Sequence, residues 1–242
     1  TNADGSLVPF SFTGRMRSSV ILLGALLGRT GKGSLGYPGG CVIGKRPIDM
    51  HLLVLRSLGA VITEEGEILT AKCEKLKGTI VSFPKRSVGA TQQGILGAVL
   101  AQGESILQNC ACEPEIQWLC RYLRSMGACI QGDGSDRICI QGVEHLNAGC
   151  IQVPPDRIAA GTYICAAAVT RSRILLENIP EGELESFLEV YRKMGGQYKG
   201  NSGKLVVNGK NVHRPVGLVE TGVYPGFPTD LQSQVMAVLS TV

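Results

Sequence analysis

The chain contains 242 residues, of which 44 % are apolar and 18 % charged, with a formal net charge of +4. This composition predicts a globular protein with one large domain or two smaller ones, and it excludes a disordered chain. The positive charges are spread along the sequence, so they indicate neither a nucleic-acid nor a membrane partner and are compatible with small anionic substrates. No stretch reaches the ~18 apolar residues of a membrane span, and residues 1–12 lack a signal-peptide pattern, so we expect a cytoplasmic protein.

In chain order, the sequence predicts a repeating set of elements. Helices rich in small and apolar residues are predicted over 18–27, 90–101 and 161–169. Each precedes an amphipathic helix with apolar residues at i, i+3, i+4 and i+7, and these helices are predicted over 48–58, 116–126 and 184–194. Short strands are predicted over 68–71, 79–82, 137–141, 150–153 and 204–207.

The repeat is also visible as similar residues at a constant interval. Leu55-Arg-Ser-Leu-Gly-Ala recurs as Leu123-Arg-Ser-Met-Gly-Ala and as Tyr191-Arg-Lys-Met-Gly-Gly, and both intervals are 68 residues. Each helix stops at a glycine, which adopts the left-handed cap conformation without steric cost. The β-α-β-α-β-β unit is too long for a solenoid and predicts a pseudo-symmetric α/β domain built from three units. A fourth copy begins near Pro228. Because the chain starts and stops inside a repeat unit, the repeat predicts a chain cut at both ends.

The nine cysteines and three histidines do not form a metal or disulfide pattern. The cysteines are odd in number and include no Cys-x-x-Cys pair, and the histidines lie far apart in the sequence. We therefore expect no metal or cofactor, and we expect most cysteines to be small buried hydrophobic residues.

A glycine-rich loop over 34–51 concentrates the residues best suited to chemistry. Glycines free the backbone around Cys41, while Lys45 and Arg46 supply positive potential that lowers a thiol pKa and attracts an anion. A polarised thiol can act as a nucleophile or a proton donor. The alternative is that Cys41 is another inert cysteine and that the glycines only form turns.

Candidate anion-binding residues lie on either side of this loop. Arg17 and Arg46 have guanidinium groups that fit two phosphate oxygens, although a solvated surface arginine is the alternative for each. The segment 85–91 leads into the second buried helix, whose N-terminus attracts an anion, although Ser87 or Thr91 can equally be a helix cap.

Asp230 and His51 are further candidates with a structural alternative. Asp230 lies in the first turn of a predicted helix, where a carboxylate is ordinarily only stabilising. His51 occupies the apolar register of its helix, so packing competes with a role as ligand or acid.

Six motifs together resemble the UDP-N-acetylglucosamine 1-carboxyvinyltransferase family. They occur in that family's order and with similar spacing, so the resemblance covers the chain from about Arg15 onward. The motifs are Arg15-Met-Arg17-Ser-Ser, Pro38-Gly-Gly-Cys41-x-Ile-Gly-x-Arg46-Pro-x-Asp49-x-His51, Ser87-Val-Gly-Ala-Thr, Glu113-Pro-Glu-Ile, Pro155-Asp-Arg-Ile and Pro225-Gly-Phe-Pro-Thr-Asp230.

The resemblance implies an activity, two substrates and an architecture. The activity is transfer of the enolpyruvyl group of phosphoenolpyruvate to the 3-hydroxyl of UDP-N-acetylglucosamine, the first committed step of peptidoglycan synthesis. These two small molecules are the implied partners, and the sequence sets no oligomeric state. The implied α/β fold consists of inside-out α/β barrel domains of the enolpyruvyl transferase type. Residues 1–153 would form the cysteine-loop domain without its first repeat, and residues 154–242 part of the second domain.

The resemblance also assigns roles to individual residues. Cys41 would be the general acid that protonates the phosphoenolpyruvate methylene, and the thiol that the epoxide antibiotic fosfomycin alkylates. Asp230 would take the proton of the sugar hydroxyl, and Arg46 would bind phosphate or carboxylate. The residues expected to hold the nucleotide sugar are Arg17, Arg46, Pro47, Ile48, Asp49, Met50, Lys85, Arg86, Ser87 and Val88.

The chain departs from the family pattern in ways that leave other functions open. Arg86 stands where small apolar residues are common, and the family's N-terminal Lys-Asn motif and C-terminal arginines have no counterpart. We therefore expect the 242-residue chain alone to turn over poorly or not at all. The alternatives are the related 3-phosphoshikimate 1-carboxyvinyltransferase, against which the Cys41 loop argues, and a non-catalytic UDP-sugar-binding module or incomplete fragment.

Overall fold

The computed structural model describes residues 7–39, 47–180 and 182–242. The chain divides into two compact units, Thr1–Ile151 and Gln152–Val242, and each unit has its own hydrophobic core. The assignment of residues 1–153 and 154–242 to two different enolpyruvyl transferase domains stays a prediction.

The first unit contains two sets of elements with the same strand topology. The first set is β1 (Leu7–Val8), α1 (Phe10–Thr13), a 3-10 helix (Arg17–Ile21), α2 (Leu22–Thr30), β2 (Lys32–Gly36), α3 (Asp49–Ser57), β3 (Val61–Glu65) and β4 (Ile68–Lys72). The second set is β5 (Ile80–Ser82), α4 (Val88–Ala98), β6 (Glu104–Gln108), α5 (Pro114–Ser125), β7 (Cys129–Gln131) and β8 (Arg137–Gln141). The sheet orders are β1-β2-β4-β3 and β5-β6-β8-β7, each with a parallel first pair and antiparallel remaining pairs. This shared pairing confirms the predicted repeat.

The second unit contains a third, related set of elements. They are α6 (Arg157–Val169), β9 (Arg173–Glu177), α7 (Glu185–Lys193), β10 (Gln197–Asn201), β11 (Lys204–Asn208), a 3-10 helix (Thr229–Leu231) and α8 (Gln232–Leu239). The strands form an antiparallel sheet in the order β10-β11-β9. The predicted strand over 150–153 is wrong, because no strand of the described chain pairs with it, and Val153 is 80 % exposed. A strand requires a hydrogen-bonded neighbour, which local residue preference does not supply.

The three amphipathic helices end in the same way, as the sequence predicted. Gly59, Gly127 and Gly195 follow α3, α5 and α7 with φ angles of 97°, 99° and 97°. A residue with a β-carbon would pay roughly 1–2 kcal/mol in this left-handed conformation. That cost explains why glycine occurs at each of these positions.

The core of the first unit surrounds α4, which packs against α2, α3 and α5. Ala90, Ile95 and Ala98 of this helix are fully buried, which confirms the prediction that an all-round apolar helix is enclosed by its neighbours. Because α4 packs against α3, its N-terminal turn lies next to the start of that helix, where Gly89 approaches His51. Among the described residues, no helix is both long and apolar enough to cross a membrane.

Candidate functional site

A cleft of about 510 Å³ in the first unit contains most of the residues predicted to hold the nucleotide sugar. Its walls are formed by the 3-10 helix Arg17–Ile21, the first turn of α3 and the segment before α4. The lining residues are Arg17, Pro47, Asp49, Met50, His51, Lys85, Arg86, Ser87 and Gly89. Seven of the ten predicted residues therefore lie together, although they come from three separate segments.

The other predicted residues are not among the described residues that line this cleft. Ile48 is 3 % exposed and Val88 packs against the core, so a binding role for either would have to use main-chain atoms. Cys41 and Arg46 fall outside the described residues. Asp230 belongs to the second unit, where it is exposed in the 3-10 helix that precedes α8 rather than in the first turn of an α-helix.

Arg17 is held by a turn that its own motif forms. The buried Ser19 hydroxyl donates to the carbonyl oxygens of Met16 at 2.7 Å and Thr13 at 3.2 Å. These bonds stabilise the backbone around Arg17, whose Nη2 donates to the Pro47 carbonyl oxygen at 2.6 Å. Arg17 therefore links the 3-10 helix to the entry of α3, in addition to its predicted role toward the substrate.

The charged groups of the cleft favour an anionic ligand. Three lining residues, Arg17, Lys85 and Arg86, are cationic, against one carboxylate, that of Asp49. The N-terminus of α4 adds unpaired N–H groups and the positive end of the helix dipole. Ser87 caps this helix, since its hydroxyl accepts from the Ala90 N–H at 3.3 Å.

His51 and Gly89 form part of the cleft, although neither belongs to the set of predicted binding residues. His51 is 8 % exposed, and its Nδ1 has no hydrogen-bond partner in the described part of the chain. A β-carbon at Gly89 would lie 2.8 Å from His51 Cε1 and 3.0 Å from Nε2, so glycine is needed for this close approach. The sequence signal that could have identified Gly89 was its position in the first turn of a predicted helix. Glycine has a low helix propensity, so its presence there points to a close contact that excludes a side chain.

Burial lowers the pKa of His51 to about 4, and the charge of Arg17 acts in the same direction. A hydrogen bond with Gln93 and the Asp49 carboxylate act in the opposite direction but are weaker. The imidazole is therefore neutral at physiological pH, and it adds no charge to the cleft.

Substitution of His51 by glutamine should make folding less sensitive to acid. Between about pH 4 and 6.5 the unfolded chain protonates this side chain while the folded chain does not, so stability falls as pH decreases through that window. We expect the loss to be on the order of 2–3 kcal/mol for the wild type and to be largely absent in His51→Gln. Urea unfolding across this pH range measures the difference, with His145→Gln, which removes an exposed imidazole, as the control. Equal pH slopes for His51→Gln and the wild type would contradict the prediction.

A second cleft of about 460 Å³ adjoins the first and shares Arg17, His51 and Gly89 with it. Its other lining residues are Arg15, Met16, Ser18, Val20, Ile21 and Gln92. The two clefts together are therefore lined by motif residues of the 3-10 helix Arg17–Ile21 and of the first turns of α3 and α4.

Comparison with known proteins identifies the family. The model of the EPSP synthase family (3-phosphoshikimate 1-carboxyvinyltransferase) matches residues 5–242. The chain belongs to the EPSP synthase family. Because the match covers nearly the whole chain, both units of this EPSP synthase family member are included.

Curated relatives of this EPSP synthase family chain carry the name UDP-N-acetylglucosamine 1-carboxyvinyltransferase. The protein from Lawsonia intracellularis is 40 % identical over 96 % of this chain and 56 % of its own length. The protein from Orientia tsutsugamushi is 44 % identical over 96 % of this chain and 55 % of its own length. The protein from Clostridium tetani, named UDP-N-acetylglucosamine 1-carboxyvinyltransferase 2, is 43 % identical over 94 % of this chain and 54 % of its own length. The chain thus spans about half the length of the curated relatives it matches.

Solved structures confirm the predicted enolpyruvyl transferase type of α/β fold. The enolpyruvyl transferase NikO from Streptomyces tendae has a TM-score of 0.81 at 21 % identity, covering 97 % of this chain and 56 % of that one. An EPSP synthase from Acinetobacter baumannii has a TM-score of 0.62 at 22 % identity, covering 99 % of this chain and 52 % of that one. At these identities the likeness concerns the fold alone.

Proposed function

We propose that this chain is part of a cytoplasmic enzyme that transfers the enolpyruvyl group of phosphoenolpyruvate to the 3-hydroxyl of UDP-N-acetylglucosamine. The observation that supports it most strongly is the cationic cleft, because seven residues of the family resemblance meet there. The names of the 40–44 % identical relatives support the same activity.

The cleft suits the nucleotide part of the substrate. The diphosphate carries two negative charges, which Arg17, Lys85 and the N-terminus of α4 would neutralise. Asp49, the one carboxylate among the described lining residues, would accept hydrogen bonds from N–H or O–H groups of the uridine.

The proposed chemistry requires one acid, one base and stabilisation of phosphate. The Cys41 thiol would protonate the methylene carbon of phosphoenolpyruvate, which makes the adjacent carbon electrophilic. The sugar 3-oxygen would attack that carbon while Asp230 takes the hydroxyl proton, giving a tetrahedral adduct. Loss of a proton from the new methyl group and of phosphate would then restore the double bond. Arg46 would bind the phosphate or carboxylate during these steps.

The alternative substrate, 3-phosphoshikimate, is less well supported. The 40–44 % identical relatives carry the UDP-N-acetylglucosamine name, whereas the EPSP synthase from Acinetobacter baumannii is 22 % identical. The Cys41 loop, with its proposed acid, favours the nucleotide-sugar reaction as well.

Peptide-level mass spectrometry after fosfomycin treatment tests the proposed function. We expect one adduct, on Cys41, which forms faster when UDP-N-acetylglucosamine is present and is lost in Cys41→Ala. The other cysteines are internal controls: burial raises the pKa of Cys110, Cys120 and Cys165 to about 12, so their thiolates are scarce. The exposed Cys129 and Cys150 report non-specific alkylation. Indiscriminate labelling, or none, would contradict the proposal.

A further inference from the structure

The sheet of the second unit differs from the two sheets of the first unit on one side only. In the first unit, a short strand pairs in parallel with β2 and another with β6, within the orders β1-β2-β4-β3 and β5-β6-β8-β7. The second unit has the order β10-β11-β9. β10 is an outer strand, as are its counterparts β3 and β7, whereas β9 is the counterpart of β2 and β6. The place of the parallel strand beside β9 is therefore open in the described part of the chain.

β9 and β6 agree in register and in the phase of their hydrogen bonds. Each pairs with its antiparallel neighbour so that Leu175 corresponds to Ile106 and Glu177 to Gln108. In both sheets, the N–H of the residue after the antiparallel neighbour donates to the carbonyl oxygen of the residue before the strand, at 3.0 Å for β6 and 2.8 Å for β9. Main-chain groups alternate between the two sides of a strand, so equivalent residues of β6 and β9 point to the same side.

This correspondence identifies the hydrogen-bonding groups at the open edge of β9. In the first unit, the Ile106 N–H donates to the Thr79 carbonyl oxygen at 2.9 Å, and the carbonyl oxygen of the last residue of β6 accepts from the Phe83 N–H at 3.0 Å. The equivalent groups of β9 are the Leu175 N–H and the Glu177 carbonyl oxygen. A donor and an acceptor at an open strand edge form a template for a further strand.

The inner face of β9 is also less covered than the inner faces of its counterparts. Leu35 and Leu107 are fully buried, whereas Leu176, which occupies the same position in β9, is half-buried. In the first unit, Val81 of β5 pairs with Leu107 and is itself 2 % exposed. A strand beside β9 would bury an apolar side chain against Leu176 in the same way. On the outer face, Leu175 is 55 % exposed, so this edge also presents an apolar surface.

We propose that the open edge of β9 binds an extended polypeptide segment as a fourth strand in parallel orientation. The residue opposite Leu176 would be aliphatic, as Val8 and Val81 are at the equivalent positions of the first unit. The occupant would be a separate stretch of polypeptide of the same repeat type, since the chain spans about half the length of its curated relatives. Residues 150–153 precede α6 as β5 precedes α4, yet they do not pair with β9.

Binding of a strand peptide to the 242-residue chain tests this proposal. The probe is a fluorescent synthetic peptide with the sequence of residues 77–84, which contains β5. We expect saturable binding by fluorescence anisotropy and slower hydrogen exchange of the Leu175 N–H, measured by NMR. The N–H groups of Ile174 and Leu176 point to β11, so their protection should exist before the peptide is added and change little.

Methylated peptides distinguish strand pairing from non-specific apolar binding. Methylation of the Phe83 nitrogen removes the donor to the Glu177 carbonyl oxygen and should weaken binding about 10-fold. The Ser82 nitrogen points to the other side of the strand, so its methylation is the matched control and should change the affinity less than about 2-fold. Equal weakening by both methyl groups, or no binding of the unmodified peptide, would overturn the proposal.

Variants of the protein test the same contact from the other side. Leu175→Pro removes the N–H at the open edge and keeps the bonds to β11, since proline is tolerated where the N–H of an edge strand faces solvent. We expect peptide binding to weaken about 10-fold. Leu175→Thr, which keeps the N–H, should bind like the wild type. Circular dichroism verifies folding, and the methylated peptides decide the question with the wild type if Leu175→Pro does not fold.

Sedimentation measurements test the choice of occupant. We expect the chain to have the same mass in solution with and without the Leu175→Pro substitution. A wild-type dimer that Leu175→Pro converts to a monomer would overturn the proposal, because a second copy would then occupy the edge. The proposed function does not depend on these outcomes, since no residue of β9 is among the described residues that line the two clefts.

Discussion

Replacing Gly39 with alanine should slow the alkylation of Cys41 by fosfomycin about 100-fold without unfolding the first unit. Gly39 ends the described segment before the loop that carries Cys41, and its N–H donates to the Thr13 carbonyl oxygen at 3.0 Å. A β-carbon on Gly39 would lie 1.8 Å from the Gly14 carbonyl oxygen, far inside van der Waals contact. Because the obstructing atoms belong to the backbone, the loop entry itself has to move.

The rate of adduct formation on Cys41, followed by mass spectrometry, measures this effect. Gly217→Ala is the matched control, since a β-carbon at Gly217 meets no atom within 4 Å. Circular dichroism should be the same for both variants and the wild type. Alkylation of Gly39→Ala at the wild-type rate would mean that the contact with Gly14 does not position the loop.

Replacing Phe187 with alanine should lower the free energy of unfolding of the second unit by about 3–5 kcal/mol. The Phe187 ring is fully buried, 6.5 Å from the Tyr191 ring centroid and 6.3 Å from that of Phe227. The adjacent Ser186 hydroxyl donates to the Gly226 carbonyl oxygen at 3.2 Å. Because these contacts hold the segment that leads to Asp230, the variant should also loosen that segment.

Hydrogen exchange during urea unfolding distinguishes the unfolding of one unit from that of the other. We expect faster exchange in α7 and α8 of Phe187→Ala, while the fluorescence of Trp118, the single tryptophan and a residue of the first unit, should report an unchanged transition. Phe187→Leu keeps an apolar side chain and should lose only about 1 kcal/mol. A loss below that value for Phe187→Ala would contradict the packing role of the ring.

Local sequence patterns predicted the elements whose structure depends on residues close together in the chain. The amphipathic helices, the buried helices and the glycine ends follow from side-chain spacing within one or two turns. The predicted strand over 150–153 failed, because strand formation requires a partner that is distant in the sequence. The residues around Asp230 predicted the first turn of an α-helix, whereas the structure has a 3-10 helix, Thr229–Leu231, at that position.

The sequence by itself determined the repeat, the α/β class and the motifs that identify the family, because these depend on residue order and spacing. Only the tertiary structure decided which motif residues meet. It joins Arg17 to Pro47 across 30 positions, turns Ile48 and Val88 toward the core, and places His51 against Gly89. It also brings Arg86 and Lys85 to the same cleft as Arg17. Contacts of this kind depend on how separate segments pack, and each motif alone is compatible with several such arrangements.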